Sequence, residues 1–206
     1  MKAWQVRSYG EPEDVLELAE VPRPEPGPGQ LLVRVLAAAA NFPDVLLCRG
    51  TYQVRPPLPF TPGVELCGEV AGIGPEVTGF AVGDRVIGGT VLPSGGFAEY
   101  ALVDAGLTFP VPEGLDDAEA APFHITYQTG WFGLHQRAHL QPGETLLVHA
   151  AAGGVGTGAI QLGKAAGARV IGVVGGPEKM ALAKEVGADV VIDRSEIGRA
   201  SCRERV

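Results

Sequence analysis

A glycine-rich turn in the second half of the chain has the residue types needed to bind an anion. Residues 145–150 are nearly all apolar and predict a strand that is buried on both faces. Residues 155–166 predict a helix directly after the turn. Such a turn lets backbone N–H groups and the positive end of the helix dipole approach a pyrophosphate. The candidate cofactor-binding residues are Ala151, Gly153, Gly154, Val155 and Gly156. The motif is not a strict G-x-G-x-x-G, and it could instead be a tight packing turn, but the strand–turn–helix order favours dinucleotide binding.

The end of the next predicted strand indicates which dinucleotide would bind. That strand, residues 169–174, is followed by Gly175 and Gly176, with no carboxylate at its tip to pair with a ribose 2′-hydroxyl. The small residues leave room for a 2′-phosphate, which Lys179 and Arg194 could neutralise. The alternative is that both cations are solvated surface charges. The pattern favours NADPH over NADH.

The elements around these residues predict a mixed α/β chain with a β-rich N-terminal part. From residue 145 onward, strands alternate with helices over 155–166 and 177–186, and the third strand is expected at 190–193, as in a doubly wound parallel sheet. Only three strands of such a sheet are present. Upstream, short segments with Gly and Pro turns predict a small barrel. These strands are expected at residues 2–7, 15–18, 30–40, 62–73, 83–87 and 96–103, and helices at 117–121 and 126–138. We expect domains at 1–123 and 124–195.

Composition narrows the range of partners. The formal net charge of -8 and the lack of a basic run argue against nucleic acid and against a membrane surface. The three cysteines form no CxxC pair and no metal-ligand spacing, which fits a reducing, cytoplasmic environment. The N-terminus has no apolar segment typical of a signal peptide.

The last residues, 196–206, lose all apolar periodicity. Residues 197–206 are also the translation of a common sequencing-adaptor oligonucleotide. We therefore expect residues 196–206 to be non-native and the natural protein to continue beyond Ser195. The alternative is a genuine polar tail.

Residues 141–193 resemble the quinone oxidoreductases of the medium-chain dehydrogenase/reductase superfamily, which include ζ-crystallin. The resemblance covers essentially residues 1–195. Upstream motifs that share it are residues 41–44 (NFPD), 49–52 (RGTY), 62–65 (PGVE) and 82–86 (VGDRV). It implies a GroES-like catalytic domain followed by a Rossmann domain, here a partial one, whose missing segment completes the sheet. The full-length form is expected to be a homodimer, and the fragment alone to be inactive and prone to aggregation.

The resemblance also predicts the absence of zinc. Zinc-dependent relatives carry a cysteine where this chain has Asn41, and Gly-His-Glu where it has residues 63–65. Val64 cannot bind a metal, and no cysteine lies in the segment 90–105, where the relatives have a structural zinc lobe. His135 and His139 are spaced i, i+4 on a predicted helix but have no nearby carboxylate or cysteine partner. We therefore expect no metal.

The resemblance assigns roles to three further residues. Asn41 would line the nicotinamide site, and Tyr52 the substrate cleft, where its hydroxyl could stabilise negative charge on a carbonyl. The alternatives are a turn residue before Pro43 and a core-packing tyrosine. Thr129 occupies the family's cofactor-contacting threonine position. The Asp193-Arg194 pair replaces the Asp-Tyr of many relatives, which puts in doubt the usual adenosine-phosphate contact there.

Together these residues predict a zinc-independent, NADPH-dependent reductase that transfers hydride to a small quinone or enone. Without a Lewis acid, an already electrophilic acceptor suits the site better than an alcohol. Two alternatives remain: an enoyl-thioester reductase of the same branch, and a non-catalytic, crystallin-like NADPH-binding protein.

Overall fold

The computed structural model describes residues 1–196 and contains two compact units, which divide between Ile125 and Thr126. We call them unit 1 and unit 2. The division predicted from the sequence lies two residues earlier, after residue 123. The predicted non-native tail, apart from Glu196, lies outside the described residues.

Unit 1 is built mainly of antiparallel strands. Its elements are β1 (Lys2–Val6), α1 (Pro12–Val15), β2 (Leu16–Glu20), β3 (Gln30–Ala38), α2 (Phe42–Cys48), β4 (Glu65–Ile73), β5 (Arg85–Thr90), β6 (Tyr100–Pro110), α3 (Asp117–Ala120) and the first residues of α4 (Phe123–Trp131). Strands β3, β4, β5 and β6 close into a barrel, and β1 pairs with β2 in a separate two-stranded sheet. This confirms the predicted small barrel.

Apolar side chains from all four barrel strands form its core. In β3, Leu31, Leu32 and Val33 are all buried, while Arg34 is exposed and pairs with Glu69 of β4 at 2.7 Å. The buried side chains of the other strands complete one cluster with Leu31 and Val33, namely Leu66, Val70, Val86, Ala101 and Val103. Burial of this apolar set is the main stabilising contribution to the barrel.

Helix α2 is the main element of unit 1 that the sequence analysis did not predict. It begins after Asn41, with Pro43 in the first turn, where a missing N–H costs no helical hydrogen bond. The carboxylate of Asp44 accepts the Asn41 backbone N–H at 2.8 Å, as in a capping box. A second difference lies upstream, where Val15 ends α1 and is not part of the strand predicted for 15–18.

Unit 2 has the predicted strand–helix alternation. After α4 come a π-helical segment (Phe132–Arg137), β7 (Thr145–His149), α5 (Gly154–Ala165), β8 (Arg169–Val174), α6 (Pro177–Glu185) and β9 (Val190–Asp193). The strands are parallel in the order β7-β8-β9, which confirms the Rossmann-type arrangement. Gly167 and Gly187 follow their helices with positive φ angles of 78° and 111°, as expected for C′ glycines.

Two expectations for unit 2 need correction. The single helix predicted over 126–138 is α-helical only to Trp131 and π-helical beyond it. Strand β7 was expected to be buried on both faces, but Leu147 is 53% exposed and Val148 is its only buried residue. Within the described residues β7 pairs with β8 alone, so its other edge has no covering neighbour. Among residues 1–196, no helix is long and apolar enough to cross a membrane.

Candidate functional sites

The glycine turn of unit 2 forms an exposed backbone surface at the start of α5. Gly153, Gly154 and Val155 are exposed, and the first-turn N–H groups of a helix have no intrahelical acceptors. Gly153 donates its N–H to the carbonyl oxygen of Ala150 at 2.9 Å, which closes the turn. The helix therefore offers its N–H groups and the positive end of its dipole to an anion.

Two residues of this turn have steric roles. A Cβ on Gly156 would lie 2.4 Å from the carbonyl oxygen of Ala150, so only glycine fits there without a backbone shift. Ala150 itself has a φ of 49°, a left-handed conformation that costs a non-glycine residue about 1 kcal/mol. Ala151, predicted to bind the cofactor, is fully buried in the core of unit 2, so it can face a ligand only through its backbone.

A cleft of about 340 Å³ lies beside the turn. Four of the predicted residues line it: Gly153, Gly175, Lys179 and Arg194. Its remaining lining residues were not predicted and are His149, Ala150, Ala152, Val173 and Val174. They occupy the ends of β7 and β8 and the turn itself, so strand-end position was the signal that would have found them.

Small residues keep this cleft open. A Cβ on Gly175 would lie 3.2 Å from Nε of Arg194, so a side chain there would press on the guanidinium group. Gly176 has a φ of 92° and precedes α6, a conformation that favours glycine. The two cations, Lys179 and Arg194, thus line a cleft beside a flat glycine surface.

Asp193 was not predicted as a site residue, yet it organises the end of this cleft. One carboxylate oxygen accepts the Gly176 N–H at 3.1 Å, and the other accepts the backbone N–H and hydroxyl of Ser195 at 2.9 and 2.7 Å. The hydrogen bonds from Ser195, and then that from Gly176, hold the pKa of Asp193 below its usual value. The carboxylate nearest the tip of β8 is therefore bonded to protein groups.

Thr129 does not line this cleft. It lies on an exposed face of α4, whereas Thr126 of the same helix is buried against α5. A Cβ on Gly158 would lie 3.0 Å from Cγ2 of Thr126, which shows how closely the two helices pack.

The candidate site of unit 1 is centred on Asn41. Its Nδ2 donates to Oε1 of Glu65 at 2.7 Å and, more weakly, to the carbonyl oxygen of Ala39 at 3.4 Å. The second oxygen of Glu65 accepts the backbone N–H of Ile125 at 2.7 Å. Glu65 is fully buried and was noted in the sequence only as part of the PGVE motif.

Asp44 is the second buried carboxylate at this site. Besides the Asn41 N–H, it accepts the N–H groups of Gly63 and Val64 at 2.9 and 3.1 Å. It therefore ties the start of α2 to the segment that leads into β4. Burial raises the pKa of Asp44, against the opposing effect of these three hydrogen bonds.

Burial is also the largest cause of the raised pKa of Glu65. The hydrogen bonds from Ile125 and Asn41 lower it, and the charge of Asp44 raises it further. Such a pair of buried, hydrogen-bonded carboxylates is costly unless every acceptor is satisfied. No buried side-chain N or O atom within residues 1–196 lacks a hydrogen-bond partner.

Tyr52 lies on the loop after α2 and is half-buried. Its ring packs against the apolar cluster that includes Leu47 and Phe60. Among the described residues its hydroxyl makes no hydrogen bond, so the group can donate to a ligand. The loop begins at Gly50, whose φ of 66° and contact with the Tyr9 ring leave no room for a Cβ.

Within the described part of the chain, no group of three or more His, Cys, Asp or Glu side chains could hold a metal ion. His135 stacks on Trp131 with ring centroids 5.3 Å apart, and His139 lies beyond the helix end with a φ of 53°. The two histidines are therefore not one turn apart on a helix, as their i, i+4 spacing had allowed. Cys48 and Cys67 are buried free thiols, and burial raises the pKa of Cys67 to about 11.

Comparison with known proteins agrees with this architecture. The family described as alcohol dehydrogenase GroES-like domain matches residues 27–113, and that described as zinc-binding dehydrogenase matches residues 154–204. The chain is 36% identical over 197 residues to a quinone oxidoreductase of Pongo abelii, covering 96% of this chain and 60% of that protein. It is 37% identical over 193 residues to a mycocerosic acid synthase-like polyketide synthase of Mycobacterium tuberculosis, covering 94% of this chain and 9% of that protein.

A solved structure is similar over the same span. The quinone oxidoreductase from Thermus thermophilus, also described in complex with NADPH, superposes with a TM-score of 0.80 at 38% identity. The alignment covers 95% of this chain and 61% of that one. The chain thus spans about three fifths of the length of the quinone oxidoreductases it matches.

The fold and the sequence matches together define a GroES-like domain followed by a Rossmann-type unit, the architecture of an oxidoreductase. The chain belongs to the medium-chain dehydrogenase/reductase superfamily, and its homologues include quinone oxidoreductases.

Proposed function

We propose that the protein is an NADPH-dependent reductase that transfers hydride to a small quinone or enone without the help of zinc. The observation that carries the proposal is the cleft of unit 2, where Lys179 and Arg194 lie beside Gly175 and, among the described residues, no carboxylate is part of the lining. Two cations suit a 2′-phosphate, whereas a carboxylate would be needed to select a ribose hydroxyl. The NADPH complex of the Thermus relative supports the same cofactor.

Bound NADPH would supply the hydride, and the protein would supply position and electrostatics. The turn at Gly153–Gly154 would hold the pyrophosphate through backbone N–H groups. In unit 1, the Tyr52 hydroxyl would donate to the acceptor's carbonyl oxygen as negative charge develops there. Asn41, fixed by two carboxylates, would contact the nicotinamide.

A second candidate is an enoyl-thioester reductase, favoured by the similarity to a polyketide synthase. Both reactions place a hydride on an electron-poor centre conjugated to a carbonyl group. They differ in the size of the acceptor, so one assay separates them. NADPH oxidation by the full-length protein is followed with a small quinone panel and, in parallel, with a 2-enoyl thioester.

The quinone panel is expected to give the larger kcat/KM, and Tyr52→Phe is expected to lower kcat by about tenfold, the loss of one hydrogen bond to developing charge. Faster turnover of the thioester would favour the second candidate. NADPH binding without oxidation in any assay would favour a non-catalytic role.

The zinc-free part of the proposal rests on Val64 and on the bonding of Asn41 and Glu65 to protein groups. Elemental analysis of active full-length protein should show no stoichiometric zinc, and a chelator should leave kcat unchanged. Stoichiometric zinc together with loss of activity on chelation would overturn it.

A further inference from the structure

We propose that Glu65 sets the hydrogen-bonding polarity of Asn41, so that Asn41 offers a ligand only its carbonyl oxygen. Glu65 is thus a positioning residue, and the ligand group it selects through Asn41 is a hydrogen-bond donor. Under the proposed function, which this inference deepens, that donor is the carboxamide NH₂ of the nicotinamide.

The first support is the use of both amide hydrogens of Asn41. One is directed at Oε1 of Glu65 at 2.7 Å, and the carbonyl oxygen of Ala39 lies 3.4 Å from the same nitrogen. An amide NH₂ has two donors, and its carbonyl oxygen has two lone pairs. With both hydrogens directed at protein acceptors, only the carbonyl oxygen has free capacity.

The second support is that Glu65 cannot reverse this arrangement. Its other oxygen accepts the Ile125 N–H at 2.7 Å, so both oxygens act as acceptors. The side chain is fully buried, so bulk water does not reach it to satisfy a flipped partner. Turning the Asn41 amide would point its carbonyl oxygen at a carboxylate oxygen, acceptor against acceptor, which is costly in a buried site.

The third support is that the backbone of Asn41 is held independently. Asp44 accepts the Asn41 N–H at 2.8 Å and also binds Gly63 and Val64, which precede Glu65. Asn41 is therefore held at both its backbone and its side chain, and the segment that leads into Glu65 is tied to the same carboxylate. If the Asn41 amide were turned the wrong way, a shift of the backbone at Asn41 could not relieve the mispairing.

The ligand chemistry follows from this polarity. Quinones and enones have only acceptor atoms at their carbonyl groups, so they gain nothing from an acceptor on the protein. The nicotinamide carboxamide has two N–H donors, so it can donate a hydrogen bond to the carbonyl oxygen of Asn41. Asn41 is therefore assigned to orienting the cofactor, and the Tyr52 hydroxyl to binding the acceptor.

A double-mutant cycle tests the orientation through stability. Asn41→Asp sets two carboxylates against each other, and Glu65→Gln turns an acceptor into a donor that faces the Asn41 NH₂. In the double variant the hydrogen bond is reversed, because the introduced glutamine can donate to the introduced aspartate while its carbonyl oxygen keeps the Ile125 contact. The unfolding midpoint of the double variant is expected to lie above that of Asn41→Asp alone.

A cofactor analogue tests the polarity through binding. The 3-acetylpyridine analogue of NADPH carries a methyl ketone and has no N–H donor at this position. The full-length wild-type protein is expected to bind NADPH about tenfold more tightly than the analogue, which is ~1.4 kcal/mol. In Glu65→Gln, where Asn41 is free to turn its NH₂ toward the ligand, this ratio is expected to fall to about one.

Glu69→Gln is the matched control, since Glu69 lies on the same strand but pairs with Arg34 at the surface. It should keep the wild-type ratio. A ratio unchanged in Glu65→Gln, or a double variant as unstable as the sum of its single changes, would overturn the inference. If no variant binds NADPH, the proposed function fails, while the unfolding cycle still decides the orientation of Asn41.

Discussion

Unit 1 and unit 2 build their candidate sites in different ways. In unit 1, the site consists of buried side chains: Glu65 and Asp44 fix Asn41 through hydrogen bonds in a water-poor interior. In unit 2, it consists of exposed backbone, at a glycine turn where side chains are small or absent. The pKa values of their carboxylates also differ: burial raises the pKa of Glu65, whereas hydrogen bonds from Ser195 and Gly176 lower the pKa of Asp193.

This difference predicts how each site should fail. A binding surface made of backbone N–H groups is blocked when any side chain intrudes, whatever the chemistry of that side chain. A side chain held by a hydrogen bond loses its orientation when its partner can no longer accept that bond, even if the partner keeps the same size and shape. Substitutions in the glycine turn of unit 2 should therefore act through volume, and those around Asn41 in unit 1 through polarity.

The largest effect is expected for Gly156→Ala. The added Cβ would lie 2.4 Å from the carbonyl oxygen of Ala150, and the turn must shift to accommodate it. We expect a loss of about 3 kcal/mol in unfolding free energy, since this clash outweighs the ~1 kcal/mol helix preference of alanine. NADPH affinity should fall at least tenfold in a titration.

Gly154→Ala is the control for this change. A Cβ there would lie 3.5 Å from Oγ1 of Thr126, an ordinary contact, so stability should change little. Equal destabilisation by both substitutions would contradict the steric account of unit 2.

Asp44→Ala should have the next largest effect. It removes the acceptor of three N–H groups, from Asn41, Gly63 and Val64. At about 1 kcal/mol for each hydrogen bond, the loss in unfolding free energy is about 3 kcal/mol or slightly less if water enters. Asp14→Ala, which removes an exposed carboxylate from α1, is the control and should be nearly neutral in the same denaturant titration.

Lys179→Ala should affect binding and leave folding unchanged. Its side chain is exposed at the cleft of unit 2, so its loss removes a charge without leaving a cavity. We expect NADPH affinity to fall about tenfold, equivalent to ~1.4 kcal/mol, and NADH affinity to stay the same. Equal losses for both cofactors would show that Lys179 does not contact a 2′-phosphate.

The smallest effect concerns pH. Burial raises the pKa of Glu65 in the folded protein above its ordinary value of 4.5, so the folded state binds more protons than the unfolded chain in that range. Its contribution to stability is present below the ordinary value and is lost as pH rises through the raised one. Asp193 acts in the opposite direction: its lowered pKa gives stability above the ordinary value of 3.8 that is lost as pH falls.

Unfolding titrations across mildly acidic pH check both signs. Glu65→Gln should remove the decline in stability with rising pH that Glu65 causes, while Asp193→Asn should remove the loss at the acidic end. A steeper decline in Glu65→Gln than in wild type would contradict the assignment of burial as the dominant cause.

The sequence predicted unit 2 better than the site of unit 1. Parallel strands and glycine turns leave local patterns, so β8 and β9 were predicted with the bounds that the structure shows. The clamp on Asn41 joins residues 24 and 60 positions apart, and no local pattern encodes such pairings. Helix α2 was not predicted, and the only structural alternative considered for Asn41 was a turn before Pro43, although proline also fits the first turn of a helix.

The exposure of β7 shows a second limit. Its apolar residues predicted burial on both faces, and burial depends on the neighbours a strand acquires. Within the described residues β7 has β8 on one side only, and the face that carries Thr145, Leu147 and His149 is exposed, Leu147 to 53%. The pattern predicted the strand correctly, whereas its environment depends on elements distant in the chain.

Transfer of a label is the most direct test of the proposed reduction. NADPH carrying deuterium at the transferable C4 position is incubated with full-length, metal-free protein and a simple cyclic enone, and the product is analysed by mass spectrometry and NMR. The account predicts one deuterium at the β-carbon of the saturated ketone, with slower transfer in Tyr52→Phe. NADPH that binds without transferring deuterium, or transfer that occurs only after zinc is added, would contradict it.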